Sequence, residues 1–308
     1  MSEKTMQQRP YQNASDLILL QDFNARAIAE TGGCGYVHPG DIPHRLFNGN
    51  RLFDPGEVMT IWEDERGVAA WLMAGPRHKS YDLQVRPDLR GDGFEGEVLA
   101  YADQRLVELM RVHDYEGERI FSEAYRCDTI RSGLLLATGW ERDDHVQFVL
   151  NRAKIGDVRL PPLPAGYTLR SATGVEDAGG LAAVHRAAFG VEWTAESYGK
   201  VMGSPGYSAE SELVVVAPDG VFVAFTKTWL DRLNRTGLFE PVGTHKDYWR
   251  RGFGRAVLLY GMRQMAAAGM EYATVANSAK NEAARELYKA CGFEPWHDLD
   301  GYSKLIPT

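Results

Sequence analysis

The segment that most constrains the fold of this chain is a basic, glycine-containing run between a predicted strand and a predicted helix. It covers residues 243–256 and reads GTHKDYWRRGFGRA. Gly252 and Gly254 permit backbone conformations and close approaches that a Cβ atom would forbid. The free N–H groups at the start of the helix, near Gly254, then face the loop and favour a bound phosphate. The sequence therefore predicts a strand–loop–helix unit that binds pyrophosphate.

The apolar pattern of the C-terminal half predicts the elements around this unit. Helical spacing predicts a helix over 181–190, and two apolar runs at 213–217 and 221–225 predict a β-hairpin. A further strand is predicted from about Gly237 to His245. Pro241 marks an irregularity in that strand, because proline has no N–H group to donate to a ladder.

A second motif lies downstream of the loop and makes the first more specific. Asn281 is the predicted cap of a helix that carries Ala284, Leu287, Tyr288 and Cys291 at helical spacing, and Gly292 ends that helix. Taken alone, the basic loop is also typical of many surface turns before helices. The two motifs together distinguish this chain from that alternative.

The combined pattern resembles the GNAT superfamily of acetyl-CoA-dependent acyltransferases over residues 210–305. One departure is Trp249, where the family usually has Gln or Arg. The resemblance implies a mixed α/β sheet and acetyl-CoA as cosubstrate, with a splayed amide on the strand stabilising the thioester oxyanion. The implied cofactor-binding residues are Val242, Gly243, Thr244, Arg250, Arg251, Gly252, Phe253, Gly254, Arg255, Asn281 and Tyr288.

Acetyl transfer to an amine also needs an acid and a base. Tyr288 is the predicted acid, because a phenol with a pKa near 10 is protonated at neutral pH and can protonate a thiolate. Regular alternation places Glu240 on the same strand face as Leu238, Val242 and Thr244, which makes Glu240 the predicted base or substrate anchor. A solvent-facing carboxylate at the strand edge is the alternative for Glu240.

The expected acceptor is a primary amine of a small molecule. Acidic and aromatic side chains suit such a substrate, although the aromatic ones are equally compatible with a core position. His245 is a weaker candidate base, because it falls on the opposite face from Glu240. The predicted acceptor-binding residues are Trp193, Trp229, Asp231, Asn234 and Glu240. A non-catalytic sensor or interaction module that binds acetyl-CoA is the alternative function.

A proline-rich stretch divides the chain. It predicts an N-terminal domain over 1–157, a linker over 158–166 and a catalytic domain over 167–308. An internal repeat crosses this boundary, because residues 83–95 align with the loop segment from 242, and residues 127–140 align with 280–293. The sequence therefore predicts two tandem GNAT folds.

The N-terminal copy differs where cofactor binding and chemistry need particular residues. Glu95 stands in the place of Gly254, Leu135 in that of Tyr288, and Asp128 in that of Asn281. A carboxylate at the phosphate position repels the ligand, and leucine has no proton to give. The N-terminal copy is therefore predicted to be degenerate and to act as a scaffold or as a wall of the substrate cleft.

Charge and cysteine content limit the remaining possibilities. A net charge of −8 argues against a nucleic-acid partner. The first ten residues lack the apolar core of a signal peptide, so we expect a cytoplasmic monomer or homodimer without a membrane partner. Cys34, Cys127 and Cys291 are widely spaced, which predicts neither a disulfide framework nor a metal site. Cys34 lies among glycines but has no identifiable base beside it.

Overall fold

In the computed structural model, the structure describes residues 6–91 and 93–306. The strands are, in chain order, β1 (Gln7–Pro10), β2 (Met59–Asp64), β3 (Gly67–Gly75), β4 (Ser80–Val85), β5 (Arg119–Tyr125), β6 (Glu141–Lys154), β7 (Thr168–Ser171), β8 (Glu212–Val216), β9 (Phe222–Asp231), β10 (Thr236–Thr244), β11 (Tyr272–Ser278) and β12 (Glu294–Leu305). The α-helices are α1 (Ala14–Thr31), α2 (Asp41–His44), α3 (Pro55–Val58), α4 (Gly93–Val112), α5 (Thr129–Ala137), α6 (Ala178–Phe189), α7 (Ala195–Met202), α8 (Phe253–Ala267) and α9 (Glu282–Ala290).

The chain forms two compact units whose bounds differ from the predicted domains. The N-terminal unit contains Met1–Val149 and His297–Thr308, and the C-terminal unit contains Leu150–Trp296. The difference arises because β12 pairs with β5 in antiparallel register, from Leu299 opposite Tyr125 to Leu305 opposite Arg119. The last strand of the chain is therefore part of the N-terminal unit.

The N-terminal unit is built on a mixed sheet with the strand order β1, β2, β3, β4, β5, β12, β6. The first four strands are antiparallel neighbours, whereas β4 and β5 run parallel and are paired at Ser80 and Phe121. Trp71, Leu72 and Leu99 are completely buried in the core of this unit. Asn13 caps α1 by accepting a hydrogen bond from the Ser15 N–H group, and Gly32 ends that helix in the left-handed conformation.

The C-terminal unit has the strand order β6, β11, β10, β9, β8, β7, with residues 150–154 of β6 at the edge. β8 and β9 form the predicted hairpin, and β10 lies antiparallel to β9 and parallel to β11. Alternation along β8 directs Leu213 and Val215 toward α8, and Val214 toward α6 and α7. The sheet therefore has helices on both faces.

The secondary structure confirms the predicted hairpin, the helix near 181–190 and the strand near 237–245. The internal repeat is also present in the structure. Asp128 and Asn281 cap α5 and α9 in the same way, each accepting a hydrogen bond from the N–H group three residues later. Gly91 and Arg250, which are aligned in the repeat, both have positive φ, at 74° and 61°.

Candidate functional site

Strand β10 contains a bulge at the point where the predicted chemistry takes place. Phe239 lies opposite Thr228 on β9, and Val242 lies opposite Thr226, so β10 has one more residue than β9 between these pairs. The parallel ladder with β11 covers residues 236–239, whereas β10 continues to Thr244. Beyond Phe239, the edge of β10 that faces away from β9 therefore lies outside that ladder. The irregularity predicted from Pro241 is confirmed.

This bulge corrects the predicted alternation of side chains. Because Thr226 and Thr228 lie on the same face of β9, their partners Val242 and Phe239 lie on the same face of β10. Leu238 consequently lies on the opposite face from Val242. The prediction that Leu238, Val242 and Thr244 share a face was wrong, because the extra residue inverts the phase of the strand.

The loop after β10 ends at a helix whose first turn has unused backbone donors. Gly252 has a φ of 82° and precedes α8, which begins at Phe253. The first intrahelical hydrogen bond runs from the Ala256 N–H group to the Gly252 carbonyl, at 2.9 Å. The N–H groups of residues 253–255 thus remain for an anion. A Cβ atom on Gly254 would come within 3.1 Å of Thr244 Oγ1 and 3.2 Å of Leu287 Cδ2, so glycine lets the helix start close to β10 without displacing these side chains.

Positive charge surrounds this helix start. In the part of the chain that the structure describes, no carboxylate forms an ion pair with Arg250, Arg251 or Arg255, although Arg251 lies 5.0 Å from the Tyr248 ring centroid. Burial raises the pKa of Cys291 to about 11, and the charge of Arg255 offsets part of that rise. The charge of Arg255, on α8, therefore lies close to the C-terminal end of α9. These residues fit a pyrophosphate group.

Trp249, at the position where the family usually has Gln or Arg, occupies the outside of the loop. The residue is 61% exposed, and its Nε1 donates a hydrogen bond of 2.9 Å to the Thr244 carbonyl. His245 accepts a hydrogen bond from the Asp247 N–H group and so stabilises the turn that follows β10. The structure thus gives both side chains a role in the shape of the loop.

Tyr288 on α9 is brought close to Glu240 in the bulge. The tyrosine is 5% exposed and belongs to the core cluster that Val242 and Leu287 also contact. Burial raises the pKa of Tyr288 above its usual value, and the negative charge of Glu240 raises it further. Among residues 6–91 and 93–306, none forms a hydrogen bond with the Tyr288 hydroxyl. Tyr288 therefore retains its proton at neutral pH.

The predicted acceptor-binding residues are not all near one another. Trp229 reaches the bulge, because its Nε1 donates a hydrogen bond of 2.8 Å to the Glu240 carbonyl. Asp231 and Asn234 bond to each other across the turn between β9 and β10, with a distance of 2.6 Å between Asn234 Nδ2 and Asp231 Oδ2. Trp193 is buried in the core beneath α6 and α7. Only Trp229 and Glu240 of this predicted set meet at the bulge.

Sequence reasoning missed three side chains on the face of the sheet that α6 and α7 cover. Lys227 lies on β9, two residues before Trp229, and Glu212 is its partner on β8. Tyr207 donates a hydrogen bond of 2.6 Å to Glu212. The only signal in the sequence is a lysine within an otherwise buried strand, and the pattern alone does not show what surrounds it.

In the N-terminal unit, a carboxylate occupies the position that corresponds to Gly254 in the predicted pyrophosphate loop. Glu95 is completely buried and accepts hydrogen bonds from Arg90 Nε at 2.8 Å, Arg131 Nε at 3.0 Å and the Gly91 N–H group at 2.8 Å. Asp128 binds Arg90 through both oxygens, each at 2.8 Å. Carboxylates of the chain itself therefore neutralise both arginines, and the loop N–H group already has an acceptor.

The strand that precedes this loop is covered as well. Leu83 and Val85 on β4 align with Val242 and Thr244. Arg131 Nη1 donates a hydrogen bond of 3.1 Å to the Leu83 carbonyl, and the Tyr36 hydroxyl donates one of 2.6 Å to the Val85 carbonyl. Side chains of the protein thus engage the β4 carbonyl groups that correspond to those of Val242 and Thr244.

The prediction that the cysteines form no disulfide was wrong. Cys34 and Cys127 are bonded to each other, with their Cα atoms 6.2 Å apart, whereas Cys291 is free and buried. The pair is separated by 93 positions in sequence, so only the folded chain brings the two thiols together. Cys34 is therefore not a free nucleophile, and the bridge fastens the segment that carries Tyr36.

The geometry of the C-terminal unit agrees with a family comparison. Residues 180–293 match the model of the acetyltransferase (GNAT) family. This segment is therefore similar to the GNAT acetyltransferases. A mycothiol acetyltransferase of Kineococcus radiotolerans is 28% identical over 250 residues, which are 77% of this chain and 78% of that protein.

Two solved structures show the same fold over nearly the whole chain. A tandem GNAT protein from the clavulanic acid biosynthesis pathway has a TM-score of 0.68 and 19% identity, covering 99% of this chain and 100% of that one. A GCN5-related N-acetyltransferase from Sphaerobacter thermophilus has a TM-score of 0.65 and 19% identity, covering 98% and 96%. At this identity the similarity concerns the fold, and the chain consists of two tandem GNAT folds.

Two further observations concern ligands and membranes. Within residues 6–91 and 93–306, no helix combines the length and the apolar character needed to cross a lipid bilayer. No group of three or more histidine, cysteine, aspartate or glutamate side chains suited to a metal ion occurs in this described part.

Proposed function

We propose that this chain transfers the acetyl group of acetyl-CoA to a primary amine of a small molecule, by direct attack in a ternary complex in the C-terminal unit. The observation that carries this proposal is the bulge of β10 directly before a helix start with free amides, with Tyr288 beside it. The match to the GNAT family supports acetyl-CoA as the cosubstrate.

The loop at residues 250–255 holds the pyrophosphate through backbone N–H groups and arginine charge. Residues 242–244 offer backbone groups to the pantetheine arm, because the edge of β10 lies outside the ladder with β11. An amide at the bulge stabilises the oxyanion that forms when the amine attacks the thioester carbonyl. Asn281, whose Oδ1 caps α9, fixes the helix that carries Tyr288.

Two side chains handle the protons. Glu240 accepts a proton from the attacking amine, directly or through water, or anchors the acceptor. The new C–N bond forms, the C–S bond breaks, and Tyr288 gives its hydroxyl proton to the departing thiolate. Burial of Tyr288 keeps that proton in place until the thiolate develops.

The N-terminal unit is proposed to be a scaffold that does not bind acetyl-CoA. Glu95 already neutralises the loop, and Arg131 and Tyr36 already bond to the carbonyl groups of β4. The expected stoichiometry is therefore one acetyl-CoA per chain.

Calorimetric titration with acetyl-CoA tests this proposal, and the chain offers a matched pair of variants. Gly252 and Gly269 flank α8, have φ values of 82° and 85°, and have open space where a Cβ would lie. Aspartate tolerates the left-handed conformation but adds a negative charge. Gly252→Asp is expected to abolish binding, whereas Gly269→Asp is expected to preserve it.

Two results would contradict the proposal. Binding of two acetyl-CoA molecules per chain would show that the N-terminal unit also binds the cosubstrate. Equal binding by both aspartate variants would show that the loop at Gly252 does not hold the phosphates. A protein that binds acetyl-CoA but releases no thiol with any amine would instead fit the sensor alternative.

A further inference from the structure

Lys227 lies directly beside the bulge of β10. Its neighbours Thr226 and Thr228 pair with Val242 and Phe239, so Lys227 is opposite Glu240 and Pro241, the two residues within the bulge. Phe225, two positions earlier, packs into the core cluster formed with α6 and α7. Alternation along β9 places Lys227 on that same face of the sheet.

The ammonium group of Lys227 is held between two aromatic rings. Nζ lies 3.5 Å from the ring centroid of Tyr207 and 4.6 Å from that of Trp229, and the residue is 5% exposed. Such cation–π contacts stabilise a charge without using its N–H donors. Within the described ranges 6–91 and 93–306, Nζ makes no hydrogen bond and no ion pair. Three donors next to the bulge thus lack an acceptor.

Glu212, the cross-strand neighbour of Lys227, does not supply that acceptor. Its carboxylate accepts hydrogen bonds from the hydroxyls of Tyr198 and Tyr207 instead. Burial lowers the pKa of Lys227 to about 8, and the negative charge of Glu212 offsets part of this effect. At neutral pH the ammonium form still predominates, but among the described residues no carboxylate forms an ion pair with it to compensate for its burial.

We propose that Lys227 binds a carboxylate of the acceptor and so selects amines that also carry a carboxylate. The proposal rests on the proposed function, because it assigns the acceptor site of the same reaction. Trp229, one of the two rings that contact Lys227, also donates a hydrogen bond from its Nε1 to the carbonyl of Glu240, the proposed base. The ammonium group of Lys227 has the carboxylate of Glu212 on the neighbouring strand. This carboxylate repels a phosphate dianion more than a ligand with a single negative charge, which favours a carboxylate as the ligand.

Paired acceptors test this selection. L-α-amino acids and their methyl esters both have a primary amine, but only the acids have the carboxylate. The wild-type protein is expected to show a KM at least tenfold lower for the acids, measured by thiol release. Lys227→Met is expected to raise the KM for the acids about tenfold, with kcat within about twofold and the esters unaffected. Lys227→Arg is expected to restore much of the preference.

Lys200→Met is the matched control. Lys200 is exposed on α7 and is paired with Glu196, so its removal is expected to change neither substrate class. A wild-type protein that uses esters as well as acids would overturn the proposal. So would a Lys227→Met variant that keeps the preference for acids.

A second measurement does not depend on turnover. In protein labelled with 13C at lysine Cε, the Lys227 signal is identified by its loss in Lys227→Met. Titration with the amino acids is expected to shift this signal and to raise the pKa of Lys227, whereas inorganic phosphate is expected to do neither. If no amino acid shifts the signal, or if phosphate does so instead, the proposal is wrong. Calorimetry with acetyl-CoA separately reports whether the proposed function fails.

Discussion

At the scale of single residues, Tyr288 carries the clearest prediction. Tyr288→Phe removes the proton donor but keeps the ring that packs in the core. We expect kcat to fall by about 100-fold or more, as is typical for the loss of a general acid, with the Kd for acetyl-CoA within about twofold. Tyr260→Phe, on the neighbouring helix α8, is the control. Full turnover by Tyr288→Phe would remove Tyr288 from the mechanism.

The raised pKa of Tyr288 also predicts the pH profile. A group whose folded pKa is raised stays protonated below that value and loses its proton only when the pH exceeds it. The general acid therefore remains competent up to at least about pH 10, the reference value for tyrosine. We expect no decline of kcat from this group between pH 7 and pH 10. A decline that disappears in Tyr288→Phe would contradict this.

Glu95 is a second residue whose removal has a defined consequence. Glu95→Gln leaves the buried guanidinium of Arg131 without its charged partner, whereas Arg90 keeps Asp128. Breaking a buried ion pair costs about 3 kcal/mol or more of unfolding free energy, which urea denaturation can measure. Glu97→Gln, exposed on the same helix, is expected to cost little. Calorimetry of the wild-type protein is expected to find no second acetyl-CoA site, and its appearance there would contradict the scaffold role.

Residues whose roles follow from local chemistry were the predictable ones. Asn281 caps a helix through its own side chain, and Gly252 adopts a positive φ because it has no Cβ atom, so short motifs reveal both. Lys227 differs, because its environment comes from Tyr207 and Trp229 on separate segments. The pairing of Cys34 with Cys127 was invisible for the same reason.

At the scale of elements, the bulge of β10 decides how the strand is used. Its single extra residue inverts the alternation of side chains, so Phe239 and Val242 lie on the same face although they are three positions apart. Period-two reasoning located the strand but not this inversion. Pro241 signalled an irregularity, yet it did not specify how many residues the irregularity adds.

Deletion of Pro241 tests whether the bulge is needed for function. The deletion removes one residue from β10 and leaves the phase of Val242 relative to Phe239 unchanged, so the sheet can still form. We expect kcat/KM for acetyl-CoA to fall by about 100-fold or more, because an oriented oxyanion donor is lost. Circular dichroism reports whether the fold persists. A folded deletion variant with normal kcat/KM would show that the bulge is dispensable.

At the scale of the whole molecule, the boundaries of the two compact units do not follow the two halves of the sequence repeat. The repeat predicted two consecutive domains, whereas β12 supplies residues 297–305 to the N-terminal unit. Local patterns identify a strand near the end of the chain but not its partner. Pairing between β5 and β12 joins positions far apart in sequence, and such contacts are fixed by the complete fold.

Ending the chain at Trp296 is expected to destabilise the N-terminal unit more than the C-terminal unit. The truncation removes the neighbour of β5 and exposes its hydrogen-bonding edge. Hydrogen exchange is expected to show lost protection in β4 and β5, with protection in β9 and β10 retained. A synthetic peptide of residues 297–308 is the control and is expected to restore protection. Unchanged exchange in β5 would contradict this assignment.

The position of β12 also affects how the protein is made. A ribosome produces residues 6–149 before the C-terminal unit, yet the strand that lies beside β5 is translated after that unit. During synthesis the growing chain therefore carries an open strand edge, which can pair with other nascent chains. The half of the protein that is translated first is the last to be completed.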